Sequence, residues 1–333
     1  MKTLFIMALF DINLRGSIGR GIRLPDDMIL TNDRDQVGRL LSANFEGLVG
    51  KLEMTALRRS NAVIYCVSDY PDLLSAREDE IQRILRARTL QVNLFLMSTW
   101  LHRDNSVNTQ LGFLELPHGD PRPTVSRVDP AVRYAKADGS ITETEFTDSE
   151  ARTVRDLYSK LYSELFSLPS VAEGRELGQC VPDQGFVLPE HFNRISRLFH
   201  FTQAARATSD LGIKIAGYVT CFEALFCSDS SEMSHKLSER VAYFLGDTPA
   251  RRLEIFRHVK AAYNIRSKTV HGDTINKKLA ERAVSISVTC DDLLRAAWNK
   301  ILTTSGLMDL FSGSPQALEE YFISLVLGGA GSN

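Results

Sequence analysis

Pro249–Asp273 reads PARRLEIFRHVKAAYNIRSKTVHGD, and how this stretch is read decides the fold of the second half of the chain. It predicts a helix over Pro249–His271 that stops because Gly272 can adopt the left-handed conformation that ends helices. The stretches around it are helical in the same way. The pattern predicts helices over Pro189–Ala207, Leu211–Phe226, Ser234–Leu245, Lys277–Thr304 and Pro315–Val326. Their connections are short and no alternation of strand type interrupts them, as in a compact bundle.

The first half is mixed. Short β-type runs lie at Thr3–Leu9, Ala62–Val67 and Gln110–Leu116. Ala131–Phe146 (AVRYAKADGSITETEF) places Asp138 and Gly139 between two alternating segments, which predicts a β-hairpin. Asp72–Arg103 reads as helix, amphipathic at first and then almost wholly apolar. Thr147 or Asp148 caps a further helix with Val154, Leu157, Leu161 and Leu165 on one stripe. Ser167–Gly185 (SLPSVAEGRELGQCVPDQG) is rich in breakers and marks a domain boundary. The expected fold class is α+β: an N-terminal mixed α/β domain at residues 1–168, in a sensor or regulatory role, and an all-α bundle at residues 186–333.

Composition narrows the function. The chain has 333 residues, 44% hydrophobic and 24% charged, with a net charge of −2, so it reads as globular and carries no overall basicity that would advertise nucleic acid. Locally the balance differs, with ten Lys/Arg against five Asp/Glu between Glu232 and Lys278. Such an excess suits a polyanion, and it suits a solvated helix face equally well. Five cysteines (Cys66, Cys180, Cys221, Cys227, Cys290) form no C-x-x-C pair, which fits reduced thiols in a cytoplasm. The opening MKTLFIMALF resembles a signal peptide, but Asp11 and Arg15 follow at once, so a buried strand is expected. The late run YFISLVLGG is far short of the ~20 residues a membrane span needs. No membrane association and no cofactor are expected, and the N-terminal half lacks P-loop, dinucleotide-fold and zincin motifs.

Arg266 and His271 stand five residues apart at the end of the Pro249–His271 helix. The spacing by itself is uninformative. Chance predicts about two Arg-x(4–6)-His matches in a chain of this composition, and four occur: Arg194–His200, Arg251–His258, Arg252–His258 and Arg266–His271. The last alone finishes at a helix stop. In an unbroken helix two such side chains point roughly 140° apart, whereas a fraying end lets His271 swing back toward Arg266. Read blandly, His271 is a histidine facing the last carbonyls of its helix, and Arg266 is an ion-pair partner of Glu223 or Glu239.

Three elements in order, FEALF (Phe222–Phe226), SHKLSERVAYFLG (Ser234–Gly246) and YNIRSKTVHG (Tyr263–Gly272), resemble the HEPN superfamily and within it the Apea-like HEPN branch. The resemblance is close over Cys221–Asp273 and looser over the helical half. It implies a helical bundle that dimerises, and a metal-independent endoribonuclease of a toxin or antiphage system. Arg266 and His271 would then be the catalytic pair, doubled in a composite dimer site. Tyr263, Ser267, Lys268 and Lys236 would support RNA binding, and a regulatory or antitoxin partner is implied. The residue types suit the chemistry. The ribose 2′-hydroxyl supplies an internal nucleophile, histidine titrates near neutrality, and an arginine fork matches phosphate. Two other readings stay open: a HEPN-type module that binds RNA or nucleotide without cutting, and a structural dimerisation bundle.

Overall fold

The computed structural model describes residues 2–16, 19–42, 44–69, 78–116, 124–130, 133–166, 193–227 and 233–328. The fold is α+β, and the chain divides into two compact units: Met1–Arg133 with Ile141–Gln179, and Tyr134–Ser140 with Cys180–Asn333.

The first unit is built on an antiparallel sheet of β1 (Lys2–Phe10), β3 (Ile22–Arg23), β4 (Ile29–Thr31), β5 (Ala62–Asp69), β6 (Asn108–Glu115) and β7 (Val125–Val128), in the order β3-β4-β5-β1-β6-β7. The apolar run that could pass for a leader is its central strand. Leu4, Ile6 and Ala8 of β1 pack with Val63, Tyr65, Leu111 and Phe113 under α1 (Arg34–Leu40), α2 (Phe45–Val49) and α3 (Lys51–Arg59), which supply Val37, Phe45, Met54 and Leu57. The alternate residues Phe5, Met7 and Leu9 are buried as well, so β1 is apolar on both faces and shows no alternation. α4 (Glu78–His102) packs on β1 and on α5 (Asp148–Phe166). The apolar half of α4 is buried helix: Val92, Phe95, Leu96, Trp100 and Leu101 are all inside.

The Asp138–Gly139 turn forms, but the expected hairpin does not. Gly139 N–H donates to Lys136 O at 2.9 Å and Lys136 N–H to Ser140 O at 2.8 Å. Beyond the turn the two arms part. Tyr134, Ala135 and Ala137 are buried within the helical unit, and β8 (Thr144–Phe146) pairs in parallel with β2 (Ile12–Leu14). Tertiary partners outcompete the local cross-strand pairing. The breaker-rich stretch at 167–185 lies outside the described residues.

Thr147 and Glu150 start α5 as a capping box. Glu150 Oε2 accepts from the Thr147 N–H at 2.8 Å, and the Glu150 N–H donates to Thr147 Oγ1 at 3.3 Å. The Thr147 N–H first, then its hydroxyl, Arg103 and His102, hold the Glu150 carboxyl down at about 2, against the opposing effect of burial. A depressed carboxylate stabilises fully above its unfolded value near 4.3 and loses that contribution as pH falls toward about 2. Glu150→Ala should therefore lower stability by about 1 kcal/mol at pH 7, discounted for partial exposure. In urea titrations the gap between variant and wild type should close between pH 4.5 and 2, and a pH-independent gap would refute this account.

The helical unit comprises α6 (Arg194–Arg206), α7 (Leu211–Phe226), α8 (Met233–Leu245), α9 (Pro249–His271), α10 (Lys277–Ala280), α11 (Ala283–Thr303), α12 (Leu307–Ser312) and α13 (Pro315–Leu327). α7 sits centrally, against α6, α8, α9 and α11. Phe226, Phe244, Phe311 and Phe322 form an aromatic cluster with centroid spacings of 5.3–6.2 Å. The predicted helix over Lys277–Thr304 is two: Glu281 and Arg282 turn the chain between α10 and α11. α12 was not foreseen. Among the described residues no helix is long and apolar enough to cross a membrane.

Candidate functional site

α9 carries the motif. The Thr248 side chain caps its start by accepting from the Arg251 N–H, Pro249 occupies the first turn, and Ile255, Val259, Ala262 and Ile265 form the buried stripe. The helix ends on Gly272 at φ 75°, with both the Gly272 and the Asp273 N–H groups donating to Lys268 O. It remains helical through His271, so the frayed end expected from the sequence is absent. Arg266 and His271 accordingly diverge, and no hydrogen bond joins them.

Arg266 is held from two sides. Its Nη2 lies 3.3 Å from Glu223 Oε2 on α7, and its guanidinium stands 5.8 Å from the Tyr263 ring centroid. The pair is largely sheltered, with Arg266 26% and Glu223 13% exposed. Burial pushes the Glu223 carboxyl up and the Arg266 charge pulls it back. The other carboxylate oxygen, Oε1, is buried without a hydrogen-bond partner. Of the two partners the sequence offered for Arg266, the structure selects Glu223. Tyr263 lies under the arginine, as its spacing of three residues requires.

His271 is exposed, and among the described residues its side chain makes neither a hydrogen bond nor an ion pair. It is not seated on the last carbonyls of its helix. Lys268 instead ties the end, with Nζ donating to Thr274 O at 3.2 Å. Ser267 is half-buried on the same helix. The Lys236 ammonium lies 3.5 Å from Glu319 on α13, a carboxylate also bound by Arg240. Arg240 is 4% exposed, donates to Phe226 O at 2.8 Å and lies over the Phe322 ring. It belongs to the α8–α13 packing. Exposed cations around the motif are Arg257 and Lys260 on α9 and Lys277 and Lys278 on α10.

The N-terminal unit holds a polar cluster that sequence pattern did not reveal. Asp26 and Asp27 both adopt left-handed backbone (φ 55° and 56°) in the β3–β4 turn. The Asp26 carboxylate accepts from Gln91 and from the Tyr162 hydroxyl, and its carbonyl from Arg88 at 3.0 Å. Burial, then Asp26, push the Tyr162 hydroxyl up to about 12. The only sequence signal was the unusual Asp-Asp turn. Among the described residues, no group of three or more His, Cys, Asp or Glu is placed to hold a metal ion.

Compared with protein-family models, curated proteins and solved structures, the chain matches none.

Proposed function

We propose that the helical unit is a metal-independent endoribonuclease of HEPN type, working as a homodimer in which two Arg266/His271 pairs form one composite site. One observation supports this reading above the others. At a capped helix end an arginine is held by a sheltered acid and a tyrosine, while the histidine beyond it is exposed, with no side-chain partner among the described residues. The two groups diverge within one chain, and the proposed site joins a pair from each of two copies. His271 would take the 2′-hydroxyl proton as that oxygen attacks phosphorus. The P–O5′ bond breaks, leaving a 2′,3′-cyclic phosphate and a 5′-hydroxyl that receives a proton, while Arg266 meets the charge on the phosphate. A toxin or antiphage effector, held quiet by the N-terminal unit or by a regulatory partner, is the biological role proposed with it.

The test is incubation of the purified chain with RNA in EDTA. Wild type should yield cyclic-phosphate ends, and His271→Ala should cut about 10²–10⁴-fold more slowly. Light scattering should show a dimer. Cleavage unchanged in His271→Ala would refute the assignment. A second reading, an RNA-binding module that does not cut, is favoured by the Arg266–Glu223 pair itself, because a guanidinium committed to a protein carboxylate is less available to phosphate. RNA retention without any cleavage by wild type would select it.

A further inference from the structure

We propose that Tyr134–Ser140 is a conduit through which the N-terminal unit sets the order of the helix end bearing His271. The inference is independent of the ribonuclease reading. This seven-residue strap belongs to the helical unit, while the chain on both sides of it, Arg133 and Ile141, belongs to the sheet unit. Any rearrangement that pulls on the sheet unit is therefore delivered covalently to the strap.

The strap is fastened inside the bundle by groups a surface linker would not engage. Lys214 on α7 is fully buried, and its ammonium donates to Ala135 O at 3.2 Å as well as to Ala205 O and Arg206 O at the end of α6. Ser287 on α11 donates to Ala137 O at 2.5 Å. Tyr134 stacks on the buried Arg206 guanidinium at 4.3 Å and donates to Gln203 Oε1. A buried ammonium satisfied by main-chain carbonyls is costly to unseat, since removing one acceptor exposes the charge to an apolar interior.

From the strap the contacts run to the motif through two close approaches that leave no slack. A Cβ on Gly139 (φ +84°) would lie 2.6 Å from Ser209 O and 3.7 Å from Leu211, the residues that lead into α7. In the first turn of α7, a Cβ on Gly212 would lie 3.2 Å from Thr269 Oγ1, an atom buried without a hydrogen-bond partner. Thr269 is two residues before His271. Backbone packed so closely that a methyl group at Gly139 would clash transmits a displacement, because a close-packed interior is hardly compressible. The responding element is the last turn of α9, which is closed on its Gly272 cap and would fray if that packing loosened.

Hydrogen exchange read by mass spectrometry on the full chain tests this. Gly139→Val dislodges the strap by a clash and by its positive φ, and Ser287→Ala is the mild companion that removes one strap hydrogen bond. In both, amides of residues 268–272 should lose protection, about tenfold or more in the first, while those of 236–245 keep theirs. Loss confined to 134–140 and 207–214 would overturn the proposal. So would equal loss throughout the bundle, which would make the strap only a structural staple.

Discussion

Arg266→Ala should abolish RNA cleavage and, as a separate effect, destabilise the helical unit by roughly 2 kcal/mol at neutral pH. The two losses arise from different partners. On the proposed function, cleavage is lost because the guanidinium that would meet the phosphate is removed. Stability is lost because Glu223, 13% exposed and with one oxygen already unpartnered, would keep its charge and lose the cation that offsets burial. The carboxyl already sits above its ordinary value through burial, and without Arg266 it rises further. A raised carboxyl favours the folded state when protonated, so the deficit should be full at pH 7 and shrink as pH falls into the range where the variant's Glu223 takes a proton. Arg266→Ala/Glu223→Gln should recover most of the stability and none of the cleavage. If the double variant recovered both, Arg266 would be a structural residue only. If neither pH nor the glutamine restored stability, the ion pair would not be what holds the arginine.

The helical half was legible because its information is local. Leu211–Phe226 and Pro249–His271 follow from periodicity and breakers, and the structure returns both with those bounds. The Arg266–Glu223 pair was legible as one of two options, since a lone arginine near an acidic residue of a neighbouring helix has few others. What escaped depends on partners distant in sequence. The hairpin failed because Ala135 and Ala137 find carbonyl-directed donors on α7 and α11, and Thr144–Phe146 finds β2. Strands as short as β3 and β4 carry too few residues for alternation to register. The ion pair of Lys236 with Glu319 depends on where α13 packs, which the local pattern does not carry. Motif spacing likewise could not say whether the helix would fray at His271. That depends on Gly272 and Asp273 closing back on Lys268.

Asp291→Ala should destabilise the helical unit by about 3–5 kcal/mol. Its side chain is fully buried on α11, where it accepts from the Tyr218 hydroxyl at 2.8 Å and from Arg295 at 2.9 Å. Truncation removes this acceptor from both donors. The hydroxyl of a fully buried tyrosine loses its acceptor, and Arg295, only 15% exposed, keeps just the exposed Asp292 among these acids. The neighbouring Cys290 reports how little water reaches this place: burial first, then the Asp291 charge, push its thiol up to about 12. Natural domains are stable by only ~5–15 kcal/mol, so the variant should melt on the order of 10 °C lower by circular dichroism. Asp291→Asn keeps an acceptor for Tyr218 and loses the charge facing Arg295, so it should cost less than Asp291→Ala. Adding Tyr218→Phe to Asp291→Ala should cost less than the sum of the two singles, because the hydroxyl that loses Asp291 in one change is deleted by the other. Strict additivity would mean that Tyr218 and Asp291 do not act as a pair, and the core of the bundle would then owe its register to apolar packing alone.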